Sequence, residues 1–273
     1  MLLREVEYAR PKSVAEAVTL LSGRENARPL AGGQSLINVM KVRVASPDLV
    51  VDLAGIGDLR GIEAGKNRSL EIGAMTTYAE IIESEELRSA RPILAEVAAT
   101  IADVQVRNRG TIGGNICSND PTNHFPPLLA ALGATMTILG PGGERRVGAE
   151  EFFEGVFMTA VSPGELLTSV AVPARQPGQG DAFASLGVGK DGTGIVNIAA
   201  SVHDGSARIA IGCVAAVPVV LTAVADEVAV RDAVRSAGLD PPSDVHASAD
   251  YRRHLAEVLA ARAVGQATER GSA

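Results

Sequence analysis

Tryptophan is absent from the 273 residues, and aromatic carbon rings are limited to five Phe and three Tyr. The platforms on which single-stranded nucleic acid stacks its bases are therefore nearly missing. The core must be aliphatic, drawn from a hydrophobic share of 46% that is ordinary for a globular protein. Positive charge is in deficit, 25 basic against 32 acidic residues, and the resulting −7 opposes nucleic acid and anionic membrane surfaces as general partners. No apolar run is long enough to span a bilayer. The opening Met1-Leu2-Leu3-Arg4-Glu5-Val6-Glu7 is acidic and lacks the apolar centre of a signal peptide, so a soluble cytoplasmic protein is expected. Cys117 and Cys213 are too few and too distant to bind an iron–sulfur cluster or build a zinc site. Both are expected to be inert core thiols, and any redox chemistry must come from a bound group.

Several enzyme classes also lack their signatures. The stretch Gly187-Val188-Gly189-Lys190-Asp191-Gly192-Thr193-Gly194 imitates a P-loop, but Ala184 stands where the earlier glycine is required and Asp191 replaces the magnesium-binding hydroxyl. No Gly-x-Gly-x-x-Gly follows the first predicted strand, which leaves the usual dinucleotide fold unsupported. His124, His203, His246 and His254 show no metal-ligand spacing, and no Gly-x-Ser-x-Gly element places a nucleophile.

What is present is a pair of double-glycine loops, Ala31-Gly32-Gly33-Gln34-Ser35 and Thr111-Ile112-Gly113-Gly114-Asn115, each expected between a strand and a helix. Glycine reaches positive φ at little cost and lets successive backbone N–H groups converge on an anion. Gln34, Ser35, Thr111 and Asn115 add neutral donors, which favours hydrogen-bonded recognition over attraction of any polyanion. Two such loops suggest one phosphate-bearing ligand held from two sides. Arg107 and Arg109, just before the second loop, are candidates for phosphate contact or for bracing the loop.

Three regions separate along the chain. Residues 1–55 hold a capping box from Ser13 to Glu16, a helix with Val14, Ala17, Val18, Leu20 and Leu21 on one face, a short strand from Arg28 into the first loop, a helix over 36–41 and a buried strand over 49–53. Residues 56–172 hold strands over 70–73, 135–139 and 165–172, with helices from Tyr78, from Pro92 and from Pro126. An irregular lead over 103–110 precedes the second loop. A Pro- and Gly-rich boundary at 173–180 opens the third region, 173–273, with a hairpin across His203-Asp204-Gly205-Ser206 and helices near 223–236 and 248–265. The tail from Thr268 is expected to fray.

Arg28-Pro29-Leu30-Ala31-Gly32-Gly33-Gln34-Ser35-Leu36, the run from Gln105 through Asn115, and Asp250-Tyr251-Arg252-Arg253-His254-Leu255 together resemble the FAD-binding medium subunit of the molybdenum hydroxylases, which include the xanthine and carbon monoxide dehydrogenases. The resemblance runs from Tyr8 to about Ala263, and the order and spacing of its two glycine motifs are highly specific. It implies an α+β protein of the vanillyl-alcohol-oxidase (PCMH) type: two α/β FAD-binding subdomains, 1–55 and 56–172, and a C-terminal α+β domain, 173–273. It further implies that Pro29, Leu30, Ala31, Gly32, Gly33, Gln34, Ser35 and Leu36, with Thr111, Ile112, Gly113, Gly114 and Asn115, bind the FAD diphosphate, and that Ile101 and Leu167 line the cofactor. His124 occupies a position where the family usually has an acidic residue bonded to a ribose. A second departure lies at Gly187 to Gly194, where Val188, Gly189 and Thr193 replace the paired arginines and aromatic residue of many relatives.

In such a family the flavin subunit does not bind the organic substrate. The resemblance implies a molybdopterin-binding large subunit, a small subunit with two [2Fe-2S] clusters, and a hetero-oligomer such as a dimer of heterotrimers. The cysteine-rich loop of relatives that reduce aromatic thioesters is lacking, which argues against that branch. A self-contained FAD oxidoreductase of the same fold and a non-enzymatic ligand-binding module stay open as alternatives.

Overall fold

Three hydrophobic clusters, each built on its own sheet, organise the chain in a computed structural model that describes residues 3–65, 69–189 and 193–272. Strands β1 (Glu7–Ala9), β2 (Ala27–Leu30) and β3 (Leu49–Asp52) form a parallel sheet in the order β1-β3-β2. Parallel strands need crossovers, and the helix Val14–Ser22 carries the chain from β1 to β2 and the helix Leu36–Lys41 from β2 to its neighbour β3. The start of Val14–Ser22 is fixed by the Ser13 hydroxyl, which accepts from the Glu16 amide, while the Glu16 carboxylate reaches back to the Lys12 amide, one residue earlier than a standard capping box. Ala17, Val18 and Leu21 bury its inner face against β3, whose Leu49, Val50 and Val51 are themselves buried.

The second sheet is antiparallel. It comprises β4 (Ile62–Ala64), β5 (Leu70–Gly73), β6 (Thr135–Gly140) and β7 (Gly143–Gly148) and, after a small hairpin of β8 (Phe153–Gly155) and β9 (Met158–Thr159), β10 (Leu166–Val172). The spatial order is β4-β5-β10-β6-β7. Helices Tyr78–Glu83, Ile93–Ala99 and Phe125–Ala131 cover it with Ile81, Leu94, Phe125 and Leu129. Strand β7 was not anticipated: it is an edge strand whose Glu144, Arg145 and Arg146 are exposed, leaving Val147 as its buried apolar residue. The lead over 103–110 is also more regular than expected, because the Asp103 carboxylate caps a helical turn, Val104–Arg107, through the Val106 amide at 2.8 Å.

Strands β11 (Gly180–Gly187), β12 (Gly194–His203), β13 (Ser206–Gly212) and β14 (Val219–Val224) pair antiparallel in sequence order. The predicted hairpin is β12 and β13. Residues 223–224, expected to be helical, finish β14, and the helix Glu227–Ser236 starts only after Asp226 caps it through the Val228 and Ala229 amides. The tail does not fray: the last helix runs Ala249–Ser272, and Arg270 ties its end to Glu96 and to the Asp181 carbonyl at 2.9 and 3.0 Å. Within the P-loop-like stretch, Lys190, Asp191 and Gly192 lie outside the described residues. Among those described, no helix is long and apolar enough to cross a membrane.

A buried ion pair joins the second and third sheets. Arg91, 1% exposed, contacts the Asp181 carboxylate at 2.7 Å and donates to the Pro173 carbonyl at 2.9 Å. Asn197 on β12 adds a bond from its side-chain amide to the Thr122 carbonyl at 3.0 Å.

Candidate functional site

The first glycine loop leaves the carboxyl end of β2 and enters the helix Leu36–Lys41, as the sequence predicts. Gly33 sits at φ +75°, a conformation that favours glycine. Gln34 folds back so that its amide nitrogen donates to the Gly32 carbonyl, and Asn38 donates to the Gln34 carbonyl. The carbonyls of Gly32, Gln34 and Ser35 are thus engaged, whereas the N–H groups of Gly32, Gly33, Gln34 and Ser35 have no acceptor among the described residues. Gly32, Gly33 and Gln34 border a cleft of about 420 Å³, whose lining also includes Lys41, Asp52 and Arg109. Pro29 belongs to β2 and Leu30 ends it, and the exposed Ser35 precedes the helix with a side chain that makes no capping bond.

The second loop is built differently. It lies between two helices, not between a strand and a helix, and Ile112, Gly113 and Gly114 are inside the helix Ile112–Ser118 that Thr111 caps. Four of its amides are already engaged: Ile112 donates to the Thr76 carbonyl, Gly113 to the Ala74 carbonyl, Gly114 to the Thr111 hydroxyl and Asn115 to the Thr111 carbonyl, all at 2.9–3.0 Å. The two loops are therefore not equivalent: in the second only the Thr111 amide lacks an acceptor among the described residues. Most of the open amides are in the first loop. The Asn115 side-chain oxygen is buried with no hydrogen-bond partner among the described residues, beside the Tyr78 hydroxyl, whose pKa burial pushes up.

The two loops meet directly. A Cβ on Gly32 would fall well inside contact distance of the Arg109 carbonyl and 2.9 Å from the Gly110 Cα, and one on Gly114 would stand 3.4 Å from the Ala31 Cβ. Of the two candidate arginines, Arg107 braces its own segment by donating to the Ile101 and Ala102 carbonyls at 2.9 and 2.7 Å. Arg109 is exposed and lines the cleft.

Leu167 is buried in the main core on β10, one residue from Thr168, whose carbonyl accepts from Ala74 in the chain of bonds that reaches Gly113. Ile101 is partly buried against the same core. His124 sits at the start of the helix Phe125–Ala131, with Nδ1 3.1 Å from the Thr100 hydroxyl and its ring 5.2 Å from that of Phe183. Burial pushes its pKa down to about 4, so the ring is neutral at pH 7. The same cause pushes both Cys117 and Cys213 up to about 12, which keeps them as thiols.

Asp52, Phe183 and Asn197 were not singled out from the sequence. Asp52 had a readable signal, a carboxylate at the carboxyl end of a buried parallel strand, where ligands of open α/β sheets collect. It is held by the Tyr8 hydroxyl at 2.5 Å and the Ala54 amide at 2.9 Å. Phe183 and Asn197 come from the third sheet and gave no local signal.

Open amides at the end of a parallel sheet, with Lys41 and Arg109 on the rim, define a protein shaped to receive a phosphate-bearing ligand. Comparison with known proteins specifies the class. Residues 4–175 match the family described as the FAD binding domain in molybdopterin dehydrogenase. The chain is 40% identical to the carbon monoxide dehydrogenase medium chain of Afipia carboxidovorans, with 99% of each covered. It is 35% identical to the glyceraldehyde dehydrogenase medium chain of Sulfolobus acidocaldarius, with 95% of this chain and 97% of the relative covered. Among solved structures it superposes on a chain of reconstituted CO dehydrogenase from Oligotropha carboxidovorans with a TM-score of 0.94 at 40% identity, covering 99% of this chain and 100% of that one. A chain of quinoline 2-oxidoreductase from Pseudomonas putida 86 gives 0.92 at 32% identity, with both fully covered. The chain belongs to the family of FAD-binding medium subunits of the molybdenum hydroxylases.

Proposed function

We propose that this chain holds FAD between the two glycine loops and serves as the electron-transfer subunit of a multi-subunit molybdenum hydroxylase. The observation that carries the reading is the set of free amides from Gly32 to Ser35, packed so closely on Arg109 and Gly110 that a Cβ at Gly32 would fill the junction. These amides bind the diphosphate, the orphaned Asn115 oxygen accepts from the cofactor, and Thr111 holds the second loop in place. Leu30, Leu36, Ile101 and Leu167 supply apolar surface, and His124 replaces a charged ribose contact with a neutral one. Bound FAD supplies one- and two-electron redox chemistry, while the protein supplies position and electrostatics.

The three-region division at 1–55, 56–172 and 173–273 and the PCMH type of FAD fold belong to the same reading. So do a cytoplasmic location and a dimer of heterotrimers, in which a large subunit carries molybdopterin and a small subunit carries the [2Fe-2S] clusters that feed this chain. A self-contained oxidoreductase would need a free acid or base beside the cofactor. Asp52, the carboxylate lining the cleft, is already bonded to Tyr8 and Ala54.

Anaerobic mixing separates the two. When the complex assembled with molybdenum and iron–sulfur subunits is given an oxidisable substrate such as an aldehyde, a purine or carbon monoxide, flavin absorbance should bleach, and the isolated FAD-loaded chain should not respond. Bleaching of the isolated chain by an organic substrate would favour the self-contained enzyme.

A further inference from the structure

The helix Leu36–Lys41 ends in a turn whose residues are poorly chosen for folding alone. The Val44 amide donates to the Val39 carbonyl and the Arg43 amide to the Met40 carbonyl, at 3.0 and 3.1 Å, which is the bond pair of a Schellman C-terminus. That motif places the residue after the cap in the left-handed region, where glycine is favoured, yet Arg43 occupies it at φ +63°. The apolar contact that usually closes the motif is also forgone, because Val44 is 80% exposed and does not pack back on Val39. Val42, on the other side of Arg43, is 61% exposed. The Lys41 and Arg43 side chains have no hydrogen-bond or ion-pair partner among the described residues. The surrounding sequence offers none: residues 26–47 hold Arg28, Lys41 and Arg43 and no Asp or Glu, in a chain whose net charge is −7.

We propose that the turn at 41–44 is a docking surface for a partner subunit that presents a carboxylate among apolar side chains, with Arg43 as the central contact. The proposal rests on the multi-subunit reading above. Charge complementarity selects the occupant. A free guanidinium held on a fixed turn offers paired N–H donors to a carboxylate, and the two flanking valines suit an apolar surround that keeps water from that bond. An anionic membrane fits less well, because the chain as a whole repels it. Backbone strain kept at an exposed position points to contact, not to folding, as the reason for the residue. Glycine at 43 would relax the turn and remove the contact together, so one substitution sets folding against docking.

In the isolated full-length chain, Arg43→Gly should raise the midpoint of thermal unfolding by about 2–4 °C and leave flavin uptake unchanged. In the complex assembled with the molybdenum- and iron–sulfur-bearing subunits it should weaken association by roughly tenfold or more, the scale of a hydrogen bond to a charged group. Arg43→Glu should weaken it further, and added salt should loosen the wild-type complex more than the Arg43→Gly complex. An Arg43→Gly chain that assembles as tightly as the wild type, or one that is less stable than the wild type in isolation, overturns the proposal. So does a pattern in which the variant assembles normally but loses self-association or binding to phosphatidylglycerol vesicles, which would assign the turn to a second copy or to a membrane. A wild-type chain that assembles with neither subunit overturns the multi-subunit reading itself, and the docking surface falls with it.

Discussion

Gly32→Ala is expected to empty the chain of FAD. The added Cβ would meet the Arg109 carbonyl and the Gly110 Cα, which are backbone atoms and cannot rotate away as a side chain would. The first loop must then move off the segment that carries the second, and the amides of Gly32 to Ser35 lose their aim. Overpacking of this kind costs about 1–3 kcal/mol in stability. The binding loss should be larger, on the order of 100-fold or more, because several charge-assisted bonds to one diphosphate are misdirected together. Gly33→Val provides a companion with a different cause: at φ +75° a side chain costs about 1–2 kcal/mol, and a branched one more. Flavin released from the purified variants and quantified against protein is the readout, with circular dichroism to establish folding. A folded Gly32→Ala chain with normal flavin content would show that the loop junction is not the cofactor site.

Asp181→Ala should produce the largest loss of stability of any single change outside the main core. It leaves the Arg91 guanidinium buried, with its charged form already disfavoured by burial and, among the described residues, only the Pro173 carbonyl and the Ser201 hydroxyl as partners. Breaking one side of a buried pair typically costs about 3–5 kcal/mol, because the remaining charge is uncompensated. Arg91→Met combined with Asp181→Leu should recover most of it, since the pair is replaced by apolar volume. The damage should reach the cofactor as well: the third sheet brings Phe183 against His124 and Asn197 against the loop at Thr122. Urea denaturation measures the first effect and flavin titration the second. A loss below about 1 kcal/mol for Asp181→Ala, the range of a solvent-screened pair, would mean that water reaches Arg91 and that the pair does not hold the third sheet rigidly.

Much of this was readable from the residues because the first loop is a local device. The short strand before Ala31, the glycine at positive φ and the apolar helix from Leu36 all lie within a dozen positions, and each leaves its own mark. The second loop shows where locality fails. Val104-Gln105-Val106 alternates like a strand, yet the Asp103 cap turns it into one helical turn too short to display a period. That the amides of Ile112 and Gly113 are taken depends on Thr76 and Ala74, distant in sequence and brought close by folding. Strand β7 presents three consecutive charges and β11 is rich in small residues after a Pro/Gly boundary, so neither shows the hydrophobic pattern of a strand. The tail looked polar enough to fray, but Arg270 finds Glu96 and Asp181 on other elements. The site residues from the third sheet were hidden for the same reason.

The central claim is that this chain itself carries the flavin on its two loops. Its most direct test is the visible spectrum of the purified chain titrated with FAD, with the bound flavin released and identified by chromatography. The account predicts saturation at one FAD per chain and no comparable uptake by folded Gly32→Ala. A folded wild-type chain that stays colourless at saturating FAD, or one that binds equally well after Gly32→Ala, would contradict it.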